Sequence, residues 1–277
     1  PQPAAPAPPR GARRLLLSVS LVAAGLIAGL ATSLLFRPAP PPPSELDLFW
    51  APVLAAPGEA QILYGQSRSR FVSGTLPPGD LDPHLSIPAS RLVPMRDRYV
   101  WLGDAFCLAH INAGLAARSK PTRFRGAAGT PYSEIRGQAV ILIGVFNNDW
   151  TTRLATGLRF SLVNVSEAVR GVRDALHPGV LKWKMQLGDK GWLGEEDYAI
   201  VSRFHSPQTE QVVVAAGGIG HFGTMAAGEF LSNPAYFRQA IRTAPAGWEH
   251  RNMQFVLRVR VADGSPSPPE LLATHFW

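Results

Sequence analysis

The sequence predicts an α/β protein: a three-layer sandwich with a mostly parallel central sheet and antiparallel C-terminal additions, preceded by one transmembrane helix. Three observations carry this expectation. Residues 15–36 form a run of 22 residues without a charge, about 33 Å long as a helix and matched to a bilayer core of about 30 Å. Residues 139–145 (AVILIGV) are apolar throughout, the mark of a strand buried on both faces. Through the middle of the remainder, strand-like and helix-like patterns alternate, as a parallel sheet with crossover helices requires.

Taken in order, residues 1–14 read as a cytoplasmic linker or tail, 15–36 as the transmembrane helix, 37–43 as a Pro-rich spacer and 44–277 as an extracytoplasmic α/β domain. The chain opens on PQPAAPAPPR rather than on Met. That Pro/Ala composition is linker-like, and the expectation is a cytoplasmic domain upstream. The apolar run is too long for the core of a cleaved signal peptide, so an uncleaved anchor is expected. Arg10, Arg13 and Arg14 precede it and only Arg37 follows closely. Basic residues are retained inside, which places the C-terminal part outside the bacterial cytoplasmic membrane. Gly25 and Gly29 form a G-x-x-x-G pair that permits two spans to approach as a homodimer.

Within the domain, Phe49-Trp50-Ala51-Pro52 reads as an aromatic entry packed on the fold. Strands are expected at 61–64, 123–125, 139–145, 159–163, 197–204 and 211–216, and a half-exposed edge strand at 253–261, with 271–276 closing the chain. Helices are expected at 105–118, capped by Asp104, and at 150–156, 224–231 and 234–243, with a short capped turn at 130–134. Residues 66–98 and 164–196 read as loop-rich or irregular.

Four of the 27 basic side chains and none of the 20 acidic ones precede residue 44, so the domain carries only +3 of the chain's net +7. There is no basic stripe interleaved with aromatics, and nucleic-acid binding by this domain is not expected. Cys107, the single cysteine, reads as a buried structural thiol. The seven histidines show no metal-ligand spacing with cysteine or carboxylates, so no metal is expected. Neither G-x-S-x-G nor G-K-[ST] occurs. The acidic run 195–197 reads as a solvated turn.

Ligands of open parallel sheets bind beyond the carboxyl ends of the strands, and three loops fall there. In the first, Gly218, Gly220 and Gly223 match G-x-G-x-x-G and lead through Thr224 into a helix. Such glycines either present backbone amides to an anion or allow tight strand–helix packing. No acidic strand end follows about 20 residues on, so a nicotinamide dinucleotide is disfavoured and no cofactor is expected. In the second, Asn147, Asn148 and Asp149 offer hydrogen bonds and Trp150 a flat face to a small polar ligand. The same residues also suit an Asx-turn capping the next helix, with Trp150 in the core. The third holds Asp104, of interest by position.

The set FWAP after a span, GDAF, ILIGVFNNDWTTRL followed by LRF, DYAIVSRF and VVVAAGGIGHFGTMAAGEFLSNP resembles an uncharacterised bacterial group of membrane-anchored α/β domains, across residues 44–277. The resemblance implies an architecture, not a catalytic residue. In that group the domain often follows a cytoplasmic winged-helix DNA-binding domain and one transmembrane helix.

The functional expectation is therefore an extracytoplasmic sensor for a small polar ligand or an envelope protein, conveyed through the span to a regulatory output. One alternative is a nucleotide- or nucleoside-processing enzyme, with Asp104 or Asp149 as acid/base and the glycine loop on a phosphate. Another is a non-catalytic envelope interaction protein.

Overall fold

The computed structural model describes residues 19–20, 22–27, 29, 42–66, 70–72, 88–94, 99–188 and 194–277. The expected tail at 1–14, most of the expected span at 15–36, the spacer up to residue 41 and much of the loop 66–98 lie outside these. Residues 19–20, 22–27 and 29 are helical with exposed side chains. Among the described residues no helix is long and apolar enough to cross a membrane. Pro1–Pro42 and Pro43–Trp277 form separate compact units, and the fold described below is that of the second.

Its chain order is α1 (Glu45–Ala55), β1 (Ala60–Tyr64), β2 (Arg70–Val72), β3 (Leu92–Pro94), α2 (Leu102–Ala117), β4 (Thr122–Gly126) and β5 (Val140–Ile143). There follow α3 (Asp149–Leu154), β6 (Phe160–Ser166), β7 (Val169–Asp174), β8 (Trp183–Gln186), β9 (Glu196–Ser206) and β10 (Gln211–Gly218). Last come α4 (His221–Phe230), α5 (Pro234–Ala240), β11 (Met253–Ala262), β12 (Ser265–Pro266) and β13 (Glu270–Phe276).

The mixed α/β expectation holds. The main sheet runs β4-β1-β5-β10-β9-β11, with β12 and β13 pairing on β11. It is parallel across β4, β1, β5 and β10 and antiparallel from β9 outward. Strand alternation sorts side chains to two faces. Ile62, Ile141, Val214, Val201 and Phe255 meet α1, α2, α4 and α5 in the larger core. Leu63, Leu142, Val213 and Phe204 face α3 instead. Further along that second face, Tyr198, Ile200 and Val256 meet Phe160, Val172 and Met185 of a three-stranded antiparallel sheet, β6-β7-β8.

Four expectations need correcting. Residues 164–196, read as irregular, contain β7 and β8, which complete that second layer. Strand β11, read as a half-exposed edge, is paired on both sides and buried over its first five residues. Asp104 is not the cap of α2: the N-cap is Trp101, with no side-chain hydrogen bond, and Asp104 occupies the first turn. The turn at 132–134 likewise has no side-chain cap.

Two buried polar side chains hold the layers together. Gln254 of β11 accepts from the Phe160 amide and donates to the Phe160 carbonyl, both at 2.9 Å. A side-chain amide thereby reproduces a two-point strand pairing and ties β6 to the main sheet. Arg203 of β9 donates to the carbonyls of Leu48, Phe49, Glu249 and Arg251. Pro52 inside α1 cannot donate to Leu48, and the guanidinium takes up the carbonyl it leaves open. Phe49 and Trp50 are fully buried beside it, so the aromatic entry does pack on the fold.

Candidate functional site

The carboxyl ends of β1, β5 and β10 lie side by side. After β1 the chain returns through α2 on the larger-core face, whereas after β5 it passes to α3 on the opposite face. Adjacent parallel strands whose connections diverge in this way mark the crevice where open α/β sheets bind ligands.

The β5–α3 loop is shaped by Gly144 and two asparagines. Gly144 has φ +86°, and a Cβ there would lie 2.3 Å from Asn147 Oδ1, so only glycine fits. The Asn147 backbone oxygen accepts from the Gln66 amide at 3.0 Å, closing the loop onto the end of β1. Its Nδ2 donates to Asp104 Oδ2 at 2.5 Å. Asp104 is only 3% exposed, and among the described residues Asn147 is its one hydrogen-bond partner. Burial pushes its carboxyl up to about 6, against the lowering effect of the Asn147 bond.

Asn148, by contrast, is wholly engaged within the fold. Its Nδ2 donates to the carbonyls of Leu63 and Ile143, and its Oδ1 accepts from the amides of Trp150 and Thr151. It is the N-cap of α3. Trp150 is buried, donates to the Thr130 carbonyl at 3.2 Å and stacks on Tyr132, so its ring is core rather than an open platform. Asp149 is exposed in the first turn of α3.

The glycine loop follows β10 and opens α4 as expected, but its anion is internal. Asp197 Oδ1 accepts from the Gly220 amide at 3.0 Å and Oδ2 from the Gly223 amide at 2.7 Å. Oδ1 also accepts from the Tyr198 amide. Thr224 Oγ1 accepts from the Gly218 amide, and the Ile219 amide donates to the Tyr198 carbonyl. A Cβ on Gly223 would lie 2.7 Å from the Tyr198 oxygen, and one on Gly218 would lie 2.5 Å from the Gly223 carbonyl carbon. The G-x-G-x-x-G spacing here serves a carboxylate of the protein itself at a helix N-terminus. Asp197 is 1% exposed, which corrects its reading as part of a solvated turn. Burial pushes it up to about 6 despite three amide bonds. Its partners lie 23 and 26 residues away, beyond the reach of local pattern.

The starts of α2 and α4 are pressed together, since a Cβ on Gly103 would lie 2.4 Å from the His221 carbonyl oxygen. The His221 ring is half-buried, and desolvation lowers its pKa. Cys107 is fully buried, with its thiol pushed up by burial and by Asp104, as expected of a structural cysteine. His110 pairs with Ser232 rather than with Cys107. Among the described residues no cluster of His, Cys, Asp or Glu is arranged to hold a metal ion.

The structure therefore unites Asp104 with Asn147 and leaves Asn148, Trp150, Gly218, Gly220, Gly223 and Thr224 engaged within the fold. Chemically, the pair offers a buried carboxyl that exchanges its proton near pH 6 and an amide that holds one of its oxygens. Comparison with protein-family models, curated proteins and solved structures gives no match for this chain.

Proposed function

We propose that residues 43–277 are the ligand-reading domain of a membrane-anchored sensor, facing outward from a bacterial inner membrane, with Asp104 and Asn147 contacting a small polar ligand. The observation that carries this reading is a buried carboxylate with no cation beside it among the described residues, placed at the crevice between β1 and β5. A folded protein that only needed to be stable gains nothing from such a group. The nucleotide-processing alternative loses the support of its phosphate seat, because Asp197 already occupies the amides of the glycine loop. The uncharged run at 15–36 supports the anchor, and the family resemblance supplies the output, a winged-helix domain on the cytoplasmic side.

A thermal-shift screen of amino acids, amines, sugars and nucleosides tests the reading. At least one compound is expected to raise the Tm of the chain, and Asp104→Asn and Asn147→Ala are expected to abolish that rise. If no compound shifts the wild-type Tm, or if both variants respond unchanged, the proposal fails.

A further inference from the structure

On the second face of the sheet, between α3 and β6, lies a cavity of about 200 Å³. It is separate from the Asp104–Asn147 pair, and its assignment does not depend on that pair. Its floor comes from consecutive inward positions of β9 and β10. Ser202 and Ala215 lie directly opposite each other in the register, with Ile200 beside them. Two small side chains at one cross-strand pair leave room that larger ones would fill. The walls are Val145, Phe160 and Leu162.

Two polar features give the cavity a direction. At its floor, Ser202 is 2% exposed. Its Oγ accepts from Gln254 Nε2 at 3.1 Å, and among the described residues no acceptor takes its own proton. A buried hydroxyl that lines the cavity and still has its proton to give is a donor waiting for an acceptor. At the mouth, the exposed Thr152, Thr156 and Arg173 line the opening, and among the described residues no carboxylate pairs with Arg173. The volume exceeds the roughly 150 Å³ of an apolar cavity that admits benzene, and falls below the roughly 300 Å³ at which drug-sized sites begin.

We propose that this cavity binds a small organic acid with a compact apolar body, of the size of a single-ring aromatic carboxylate. The ring lies against Phe160, Leu162 and Ile200, the carboxylate meets Arg173 at the mouth, and Ser202 donates to an acceptor carried on the buried end. Benzoate is the simplest probe of the first two contacts, and 4-hydroxybenzoate adds the third.

Isothermal titration of residues 1–277 in maltoside micelles with both acids, and with neutral benzyl alcohol, tests this. Saturable binding of the acids is expected, with 4-hydroxybenzoate the tighter. Ala215→Leu, which fills the floor, should abolish it. Arg173→Gln, on the surface and safe for folding, should weaken the acids by about tenfold, the worth of one charge-assisted bond, and leave benzyl alcohol unchanged. Ser202→Ala should erase the advantage of the 4-hydroxyl group. Asp104→Asn should leave all three titrations as in the wild type, which separates this site from the crevice. Absence of saturable acid binding to the wild type, or acid binding that survives Arg173→Gln undiminished, overturns the proposal.

Discussion

Asp104 and Asp197 are buried to a similar degree, and both are pushed up to about 6 by desolvation, yet their surroundings predict opposite responses to the same substitution. Asp197 receives three backbone amides. An asparagine there would turn an NH2 group toward at least one of these donors, and Asp197→Asn is expected to cost about 2–4 kcal/mol in urea unfolding. Asp104 receives one side-chain amide, which an asparagine oxygen accepts equally well. A carboxyl whose folded pKa exceeds its unfolded value destabilises the fold once ionised. The penalty is absent below about pH 4, grows up to about pH 6 and stays constant above, where it amounts to about 3 kcal/mol. Asp104→Asn should therefore be more stable than wild type at pH 7.5, with the difference vanishing near pH 4. Equal stability at both pH values would remove the argument that this residue is retained for a purpose other than folding. Asp104 was legible in the sequence as a polar residue at a strand–helix junction. Asp197 was not, because an acidic triplet reads as solvated until distant glycine amides are folded onto it.

At the scale of elements, regular apolar patterns were readable and irregular ones were not. Strand β5, continuous and apolar, and strands β9 and β10 fell where expected. Helix α1 escaped because Pro52 lies inside it and because its buried side includes aromatic residues that read equally well as an extended entry. Strands β7 and β8 escaped because few of their residues are apolar and a glycine interrupts β7. What fixes them is not local propensity but Gln254, which clamps the neighbouring β6 from a strand almost 100 residues away. Gln254→Leu leaves both Phe160 backbone groups without partners and should cost about 3 kcal/mol. Hydrogen exchange should locate the damage. Amides of β6 and β7 are expected to exchange faster while those of β10 keep their protection. Uniform loss of protection over both sheets would mean that the small sheet does not move as a unit of its own.

For the whole molecule, the proposed division into an anchor and an outward domain rests on residues 15–36 and the arginines before them. The full-length protein is expected to resist carbonate extraction from bacterial membranes, and a C-terminal tag should be reached by protease added from the periplasmic side. A tag protected in intact spheroplasts would place the domain on the wrong side for a receptor of external ligands. The parallel half of the sheet, the helices α2 to α5 and the loops at the strand ends were legible from alternation. The purpose of the glycine loop was not, since spacing alone does not reveal whether its amides await a guest or already have one.

Strand β9 carries Ser202 and Arg203 in succession, and a pleated strand sends such neighbours to opposite sides. One forms the bottom of a chamber behind the sheet; the other grips helix α1, the first helix of the fold. Their Cα atoms are about 3.8 Å apart. Any pressure on the first is thus delivered, across a single peptide unit, to the fastening that holds α1 against the sheet.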